Sequence, residues 1–251
     1  MTKLVARLAA AGCVAPAEEV AELRAIAGTD AALLDQFVAR RCTGEPLPWI
    51  VGRAAFCDLY VHIEPGVYVP RWQSEPLAER AAEFLPPTGC AVDLGTGCGA
   101  IAAVLRARNP DATIAGTELD ALAVACARRN GIAVFEGPLF APLPPSMRGA
   151  IDVAVGVLPY VPTTDIAFLP RDVRTFEPRS ALDGGADGLA VVLAAIEQAG
   201  DWLAPDGVLL LEVGGEQATR IAEACQYHGL RVVDVLVDEE GDQRGVEIRR
   251  S

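Results

Sequence analysis

The stretch from Ala91 to Leu105 most constrains what this chain can fold into, because it combines a strand, a glycine turn and a helix without a break. Its start is apolar, as in a buried parallel strand, and its end is apolar at helical spacing. The turn between them carries Gly95, Gly97 and Gly99. Glycine lets the backbone approach a ligand closely, and the N-terminus of the following helix offers unpaired N–H groups. The stretch therefore predicts an α/β fold with a ligand-binding turn.

An acidic residue follows at the distance expected for a nucleotide site. Residues 112–117 are predicted to form the next strand, and Glu118 at its end can accept hydrogen bonds from ribose hydroxyls. The glycine spacing lacks the third glycine of a dinucleotide site at its usual offset, so it favours a single-nucleotide ligand such as S-adenosylmethionine. A tight turn that binds no ligand is the alternative interpretation.

Composition and charge narrow the class of protein. The chain has 251 residues, of which 51% are hydrophobic, and this length suits one α/β domain with a small addition. The net charge of −13 argues against non-specific nucleic-acid binding, which needs clustered lysine and arginine. The seven cysteines are scattered, so we expect no metal site and a cytoplasmic location. With no run of about 18 apolar residues and no charged-then-apolar leader, we expect no membrane association.

The hydrophobic pattern divides the chain into three regions. Residues 1–42 carry apolar residues at helical spacing and are predicted to form a small helical domain that packs on the rest. Residues 43–72 are predicted to form a proline-rich linker and a β-hairpin with residues 64–66 as its turn. Residues 73–251 are predicted to form the S-adenosylmethionine-binding domain, which begins with a helix capped by Ser74.

The third region alternates strands and helices, which is typical of a parallel sheet wound by helices. The predicted strands are residues 90–94, 112–117, 132–135, 151–156, 207–213, 231–237 and 244–249. The predicted helices are residues 99–107, 120–129, 187–203 and 215–228. Residues 157–186, rich in proline and charge, are predicted to form a long loop at the carboxyl end of a strand, where open α/β sheets usually bind ligands.

Several further segments follow one another in a recognisable order. They are Gly-Glu-Pro-Leu at 44–47, Pro-Gly-Val-Tyr-Val-Pro-Arg at 65–71, the glycine turn, and Phe-Glu-Pro-Arg-Ser-Ala-Leu-Asp-Gly-Gly at 176–185 with Asp187-Gly188. With these segments the chain resembles the HemK-type protein-glutamine N5-methyltransferases, which methylate the Gly-Gly-Gln glutamine of peptide release factors. The resemblance implies a doubly wound seven-stranded α/β sheet of the class I methyltransferase type, with an antiparallel last strand. It also implies S-adenosylmethionine as cofactor and a protein or small molecule as acceptor.

The resemblance implies roles for individual residues as well. Those implied to hold the cofactor are Arg71, Asp93, Gly95, Thr96, Gly97, Gly99, Glu118, Leu139 and Phe140. Those implied to form the acceptor site or to act in catalysis are Val157, Pro159, Tyr160 and Glu177. Some have a structural alternative: Tyr160 could be a packed loop aromatic, Glu177 could pair with Arg179 to brace the loop, and Asp93 could orient the glycine turn.

The chain departs from the family pattern in the acceptor motif. The family sequence Asn-Pro-Pro-Tyr follows the fourth strand, and residues 157–160 here read Val-Leu-Pro-Tyr. The resemblance implies that the Asn side chain and a backbone carbonyl accept hydrogen bonds from the glutamine NH2. Val157 has no acceptor, and an unpaired buried polar group costs about 1–3 kcal/mol. We therefore expect poor methylation of a release-factor glutamine.

A second departure concerns the adenine. Family members usually have Gly-Asp-Leu where this chain has Gly137, Pro138 and Leu139, and the family's acid commonly accepts a hydrogen bond from the adenine amino group. Pro138 has neither an acceptor side chain nor a backbone N–H. We expect the adenine to be held by the backbone of Leu139 and Phe140 and by apolar packing.

Three functions are compatible with these observations. The first is methyl transfer from S-adenosylmethionine to an acceptor other than a release-factor glutamine, by an in-line displacement that needs alignment and a dry site. The second is a cyclase or lyase reaction that consumes the bound cofactor and releases methylthioadenosine, with Tyr160 or Glu177 as candidate base. The third is a non-catalytic protein with a methyltransferase fold. The sequence leaves the acceptor and the oligomeric state open.

Overall fold

A computed structural model describes residues 2–251 of the chain. Its helices are α1 (Thr2–Ala10), α2 (Pro16–Ala27), α3 (Ala31–Cys42), α4 (Leu47–Val51), α5 (Glu75–Phe84), α6 (Ala100–Arg108), α7 (Ala121–Arg129), α8 (Arg171–Phe176), α9 (Ala190–Trp202) and α10 (Gln217–Tyr227). Its strands are β1 (Arg53–Phe56), β2 (Leu59–His62), β3 (Cys90–Leu94), β4 (Thr113–Glu118), β5 (Ala133–Glu136), β6 (Ile151–Gly156), β7 (Leu203–Glu212), β8 (Leu230–Val237) and β9 (Gln243–Arg250).

The first four helices surround a small apolar core of their own. Leu8, Val20 and Val38 from α1, α2 and α3 are fully buried in it, and Ile50 from α4 completes it. The prediction of an irregular linker is wrong for residues 47–51, which form α4. Its prolines stand before and within the first turn, where the N–H that proline lacks has no helical partner in any case.

The hairpin of β1 and β2 turns at a different place from the predicted one. Its turn is Cys57 and Asp58, whose φ angles of 45° and 60° are those of a tight two-residue hairpin turn. Residues 64–66 do form a turn, but residues 67–69 after it do not form a strand. The prediction failed because proline and glycine mark residues 64–66 in the sequence, whereas residues 57–58 lack such a signal.

The main sheet has the strand order β5-β4-β3-β6-β7-β9-β8, and β9 is antiparallel to both of its neighbours. Helices cover both faces, with α5, α6 and α7 packed on one side and α9 and α10 on the other. This arrangement confirms the predicted doubly wound α/β class. The segment predicted as a loop, residues 157–186, contains one short α-helix, α8, and two short 3-10 helices. Among residues 2–251, no helix has the length and apolar character needed to cross a membrane.

Candidate functional site

The carboxyl ends of four neighbouring strands define one edge of the main sheet. These strands are parallel and adjacent in the order β5, β4, β3 and β6. Because neighbouring strands lie about 4.8 Å apart, the four ends form a row about 14 Å long. A cavity of about 310 Å³ runs along this row, which is within the usual size of a small-molecule site of about 300–1,000 Å³.

The glycine turn forms the floor of the cavity at the end of β3. Gly95, Gly97 and Gly99 have φ angles of 65°, 57° and 85°, which L side chains rarely adopt. A Cβ on Gly97 would meet nothing within 4 Å, whereas a Cβ on Gly99 would lie 2.8 Å from the side chain of Ile132. Gly95 and Gly97 line the cavity. Gly99 instead lets the start of α6 pack closely against Ile132 and against Ala127 of α7.

Asp93 supports this turn from inside the protein. Its carboxylate accepts hydrogen bonds from the Thr96 hydroxyl at 2.6 Å and from the Ala102 amide at 3.1 Å. Burial raises the pKa of Asp93 to about 7. Asp93 therefore orients the glycine turn, which was the structural alternative to a ligand contact, because one of its oxygens holds both the turn and the start of α6. Asp93 and Thr96 also line a smaller cavity beside the first, which leaves a ligand contact open as a proposal.

Glu118 lies at the centre of the row of strand ends, where it lines the cavity. Its carboxylate accepts from the amides of Gly97 at 2.9 Å, Leu119 at 2.7 Å and Asp120 at 2.9 Å. An ionised carboxylate offers about four acceptor positions, so three contacts leave room for one more. Glu118 therefore tethers the glycine turn to β4 and can still accept a hydrogen bond from a ligand hydroxyl.

The segment after β5 closes one end of the cavity. Gly137, Pro138 and Leu139 line it, and Leu139 has a φ of 48°, which is unusual for a side chain of this size. Phe140 turns away from the cavity. It is fully buried, and its ring stacks on Trp202 with 6.0 Å between ring centroids. The structure thus brings Leu139 to the site and uses Phe140 as an anchor for the segment.

The turn after β6 forms the opposite end. Val157 lines both cavities, and Leu158 and Pro159 line the larger one. Tyr160 turns away from them, and its hydroxyl donates to the Glu212 carboxylate at 2.8 Å. Burial and the nearby Glu212 raise the pKa of Tyr160. Tyr160 is therefore bound to β7 in this structure and is a weak candidate for a base.

The backbone of this turn is held as firmly as its tyrosine. The side chain of Gln217 donates to the Tyr160 carbonyl at 2.9 Å and accepts from the Gly214 amide at 3.0 Å. The next residue, Val161, exchanges backbone hydrogen bonds with the segment 182–184. The turn that carries Val157 is consequently fixed between α10, β7 and the long loop.

Arg71 and Glu177 form a buried ion pair beside the site. Glu177 is 7% exposed, and its burial raises its pKa, which the adjacent Arg71 opposes. Arg71 also lies over the ring of Tyr68, with 5.1 Å from the guanidinium carbon to the ring centroid. The suggested pairing of Glu177 with Arg179 is wrong, because Arg179 pairs with Asp183. Neither Arg71 nor Glu177 lines a cavity.

Two residues that line the cavities, Tyr68 and Ser74, were not predicted from the sequence as site residues. Tyr68 lines both cavities, and it stands within the segment 65–71 that carries the resemblance. Ser74 makes no capping hydrogen bond at the start of α5, so that prediction was wrong. Its hydroxyl is buried, lines the smaller cavity and lies beside the Glu212 carboxyl, whose pKa is raised by burial, an effect that the Ser74 hydroxyl opposes. A buried hydroxyl there suits the polar amino-acid part of S-adenosylmethionine, while the glycine turn and Glu118 suit its nucleoside.

Comparison with known proteins agrees with this geometry. A family model, the methyltransferase small domain, matches residues 74–134, which contain the glycine turn and Glu118. A release factor glutamine methyltransferase from Geobacter sulfurreducens is 38% identical over 190 residues, which cover 73% of this chain and 66% of that protein. One from Nitratidesulfovibrio vulgaris is 37% identical over 238 residues, which cover 91% of this chain and 80% of that protein.

Solved structures show the same fold at lower identity. A ribosomal protein L11 methylase from Lactobacillus delbrueckii subsp. bulgaricus superposes with a TM-score of 0.54 at 18% sequence identity. The match covers 76% of this chain and 85% of that chain. This likeness establishes the sheet and its flanking helices as a methyltransferase-type fold.

Proposed function

Since this chain belongs to the HemK family of release factor glutamine methyltransferases, we propose that it methylates an acceptor other than a release-factor glutamine. As a member of that family it is an S-adenosylmethionine-dependent transferase. The proposal concerns the acceptor alone. One observation carries it: Val157 stands at the point where the acceptor turn meets both cavities.

A glutamine amide needs hydrogen-bond acceptors for its NH2 group. The side chain of Val157 offers none, and Leu158, which is 3% exposed, adds a second apolar wall at the same end. Leaving one N–H of a bound amide unpaired costs about 1–3 kcal/mol. Loss of its orientation costs further rate, because a displacement of about 1 Å can slow a reaction about 100-fold. An acceptor with fewer N–H donors suits these walls better.

The chain's own residues would hold and align the cofactor along the row of strand ends. Gly95 and Gly97 let it approach β3, Glu118 would accept from its ribose, and Ser74 would contact its amino-acid part. S-adenosylmethionine, when bound, supplies an electrophilic methyl carbon on sulfur. Val157 and Pro159 would shield the reacting atoms from water and place the acceptor in line.

The alternative reaction, cyclisation or lysis of the cofactor itself, is less well supported by the geometry. It requires a base that reaches the cofactor, and the candidates were Tyr160 and Glu177. The Tyr160 hydroxyl is bound to Glu212, and Glu177 is buried against Arg71. Neither side chain lines the cavity, so methyl transfer to a separate acceptor is the better-supported function.

Mass spectrometry of a release factor incubated with S-adenosylmethionine and the wild-type protein tests the proposal. We expect its Gly-Gly-Gln glutamine to remain largely unmethylated. The variant Val157→Asn restores one acceptor and should raise the rate about tenfold, the equivalent of one hydrogen bond of about 1.4 kcal/mol. Recovery is partial because Leu158 remains.

Two controls accompany this test. Calorimetry with S-adenosylhomocysteine should give the same affinity for wild type and Val157→Asn, which would place the gain in the acceptor site. S-adenosylmethionine incubated alone with the protein should not yield methylthioadenosine. Efficient monomethylation of the glutamine by the wild type would refute the proposed change of acceptor.

A further inference from the structure

The end of the cavity that lies beyond Glu118 is apolar. Its walls are formed by side chains or rings of α7, of the segment after β5 and of α9: Ala123, Pro138, Leu139 and Val191. In the proposed function this end holds the purine, because Glu118 marks the ribose and β5 is the next strand along the row. The inference below rests on the proposed function for this placement alone.

The acidic side chains nearest to this end each hold backbone amides. The Glu118 carboxylate accepts three backbone hydrogen bonds. Asp120 caps α7, because its Oδ1 accepts from the amides of Leu122 at 2.8 Å and Ala123 at 3.1 Å. Adenine carries an exocyclic amino group that donates hydrogen bonds, so a site that selects adenine by this group needs a free acceptor.

Pro138 has no side-chain acceptor to supply. Its ring has no polar atom, and its carbonyl accepts from the Ala141 amide at 3.1 Å within the turn. The conformation around it is also constrained, since Gly137 has a φ of 149° and a Cβ there would lie 2.9 Å from the Pro142 ring. The segment therefore presents a rigid apolar edge to the purine.

Pro138 is also exposed to solvent. An amino group beside it keeps its hydrogen bonds to water, so the missing protein acceptor brings no burial penalty. The affinity of the site then comes from the ribose contact and from apolar packing on the purine faces. Neither contribution depends on the amino group.

We infer that this protein binds its cofactor without reading the 6-amino group of the purine, and that Pro138 is the residue that sets this tolerance. The site should accept cofactor analogues that lack the amino group or carry another group in its place. An acidic side chain at position 138 would make the site select ligands that carry the 6-amino group.

Calorimetry with two ligands tests the inference without any acceptor. The ligands are S-adenosylhomocysteine and its 6-desamino analogue, which carries unsubstituted purine and keeps the ring nitrogens. Wild type should bind both with dissociation constants within about threefold. Pro138→Asp should favour the amino ligand by at least about tenfold, the lower range for a hydrogen bond to a charged group. Pro138→Ala, which removes the ring without adding an acceptor, should remain unselective.

The outcomes separate this inference from the proposed function. Tight binding of S-adenosylhomocysteine by wild type with a tenfold or greater loss for the analogue would overturn the inference alone. Equal affinities for both ligands in Pro138→Asp and in a second acidic variant, Pro138→Glu, would also count against it. Binding of neither ligand to the wild type would overturn the proposed function together with the inference.

Discussion

The cofactor end and the acceptor end of the cavity are built on the same sheet edge but by different means. At the cofactor end, contact depends on backbone shape: positive φ angles at Gly95 and Gly97, and amides held by Glu118. At the acceptor end, a firmly held turn presents the side chain of Val157. The glycine turn at the first end matches the family pattern, although Pro138 beside it departs from that pattern. The second end presents Val157 on a turn held by Glu212 and Gln217.

This difference bears on whether the acceptor site has changed its acceptor or has lost its activity. In a turn that had lost its role, we would expect the distant contacts to be lost along with the side chain. Here Glu212 binds the Tyr160 hydroxyl and Gln217 binds the Tyr160 carbonyl. A changed side chain on a turn that is held in place favours a new acceptor over a non-catalytic protein.

The largest effect is expected from a side chain in the glycine turn. Gly97→Val places a branched residue at a φ of 57° and fills the space that faces the cavity. Affinity for S-adenosylhomocysteine should fall at least about 100-fold, the equivalent of about 2.7 kcal/mol, because the side chain would occupy space that the ligand needs. The left-handed conformation costs about 1–2 kcal/mol of stability in addition. Calorimetry measures this loss. Gly229→Val, at a φ of 66° with open space and far from the site, should lower the melting temperature and spare binding.

A smaller effect is expected from the acid at the strand end. Glu118→Ala should weaken S-adenosylhomocysteine binding about 5- to 150-fold, the equivalent of about 1–3 kcal/mol for hydrogen bonds to a charged group. Glu136 is its neighbour in register on β5, is exposed and does not line the cavity. Glu136→Ala should bind as wild type does. Equal affinities for wild type and Glu118→Ala would remove Glu118 from the cofactor site.

The support of the acceptor turn should be separable from cofactor binding. Tyr160→Phe removes the donor to Glu212, which is 4% exposed and would be left without that partner. We expect a loss of about 1–2 kcal/mol in the free energy of unfolding, measured by urea denaturation, with unchanged affinity for S-adenosylhomocysteine. Tyr227→Phe, at a tyrosine that is 87% exposed, should change neither quantity. A drop in affinity would show that the two ends are coupled.

A further effect, on stability alone, concerns pH and Asp93. Its pKa in the folded protein is raised to about 7 by burial, above an unfolded value of about 3.9. The stability that this group contributes is therefore present below about pH 4 and is lost as the pH rises through about 7. Asp93→Asn keeps an oxygen for the Thr96 and Ala102 contacts and does not titrate.

The melting temperature of wild type should therefore fall, relative to that of Asp93→Asn, as the pH rises from 5 to 8. Each kcal/mol of lost stability lowers the melting temperature by about 2–4 °C. Differential scanning calorimetry without ligand measures this change. A constant difference across the range would mean that Asp93 has an ordinary pKa.

The elements of the sheet were predictable because their periodicity is local. Residues 90–94 and 151–156 were predicted as strands and are β3 and β6. The hairpin turn was not, since the positive φ angles of Cys57 and Asp58 are imposed by the pairing of β1 with β2 rather than by a glycine. Glycine and proline predict turns from the sequence, whereas turns with positive φ angles at other residues are not predictable in this way.

The sequence by itself determined the family, the cofactor and the apolar acceptor motif, because these depend on residue types at short fixed spacings. The tertiary structure decided which side chains face the cavity. Tyr160 binds Glu212, 52 residues away, and Arg71 binds Glu177, 106 residues away. A buried polar group takes whichever partner the folded chain brings near it, because leaving it unpaired is costly. As a result, the two candidate bases, Tyr160 and Glu177, do not line the cavities, whereas Tyr68 and Ser74 do.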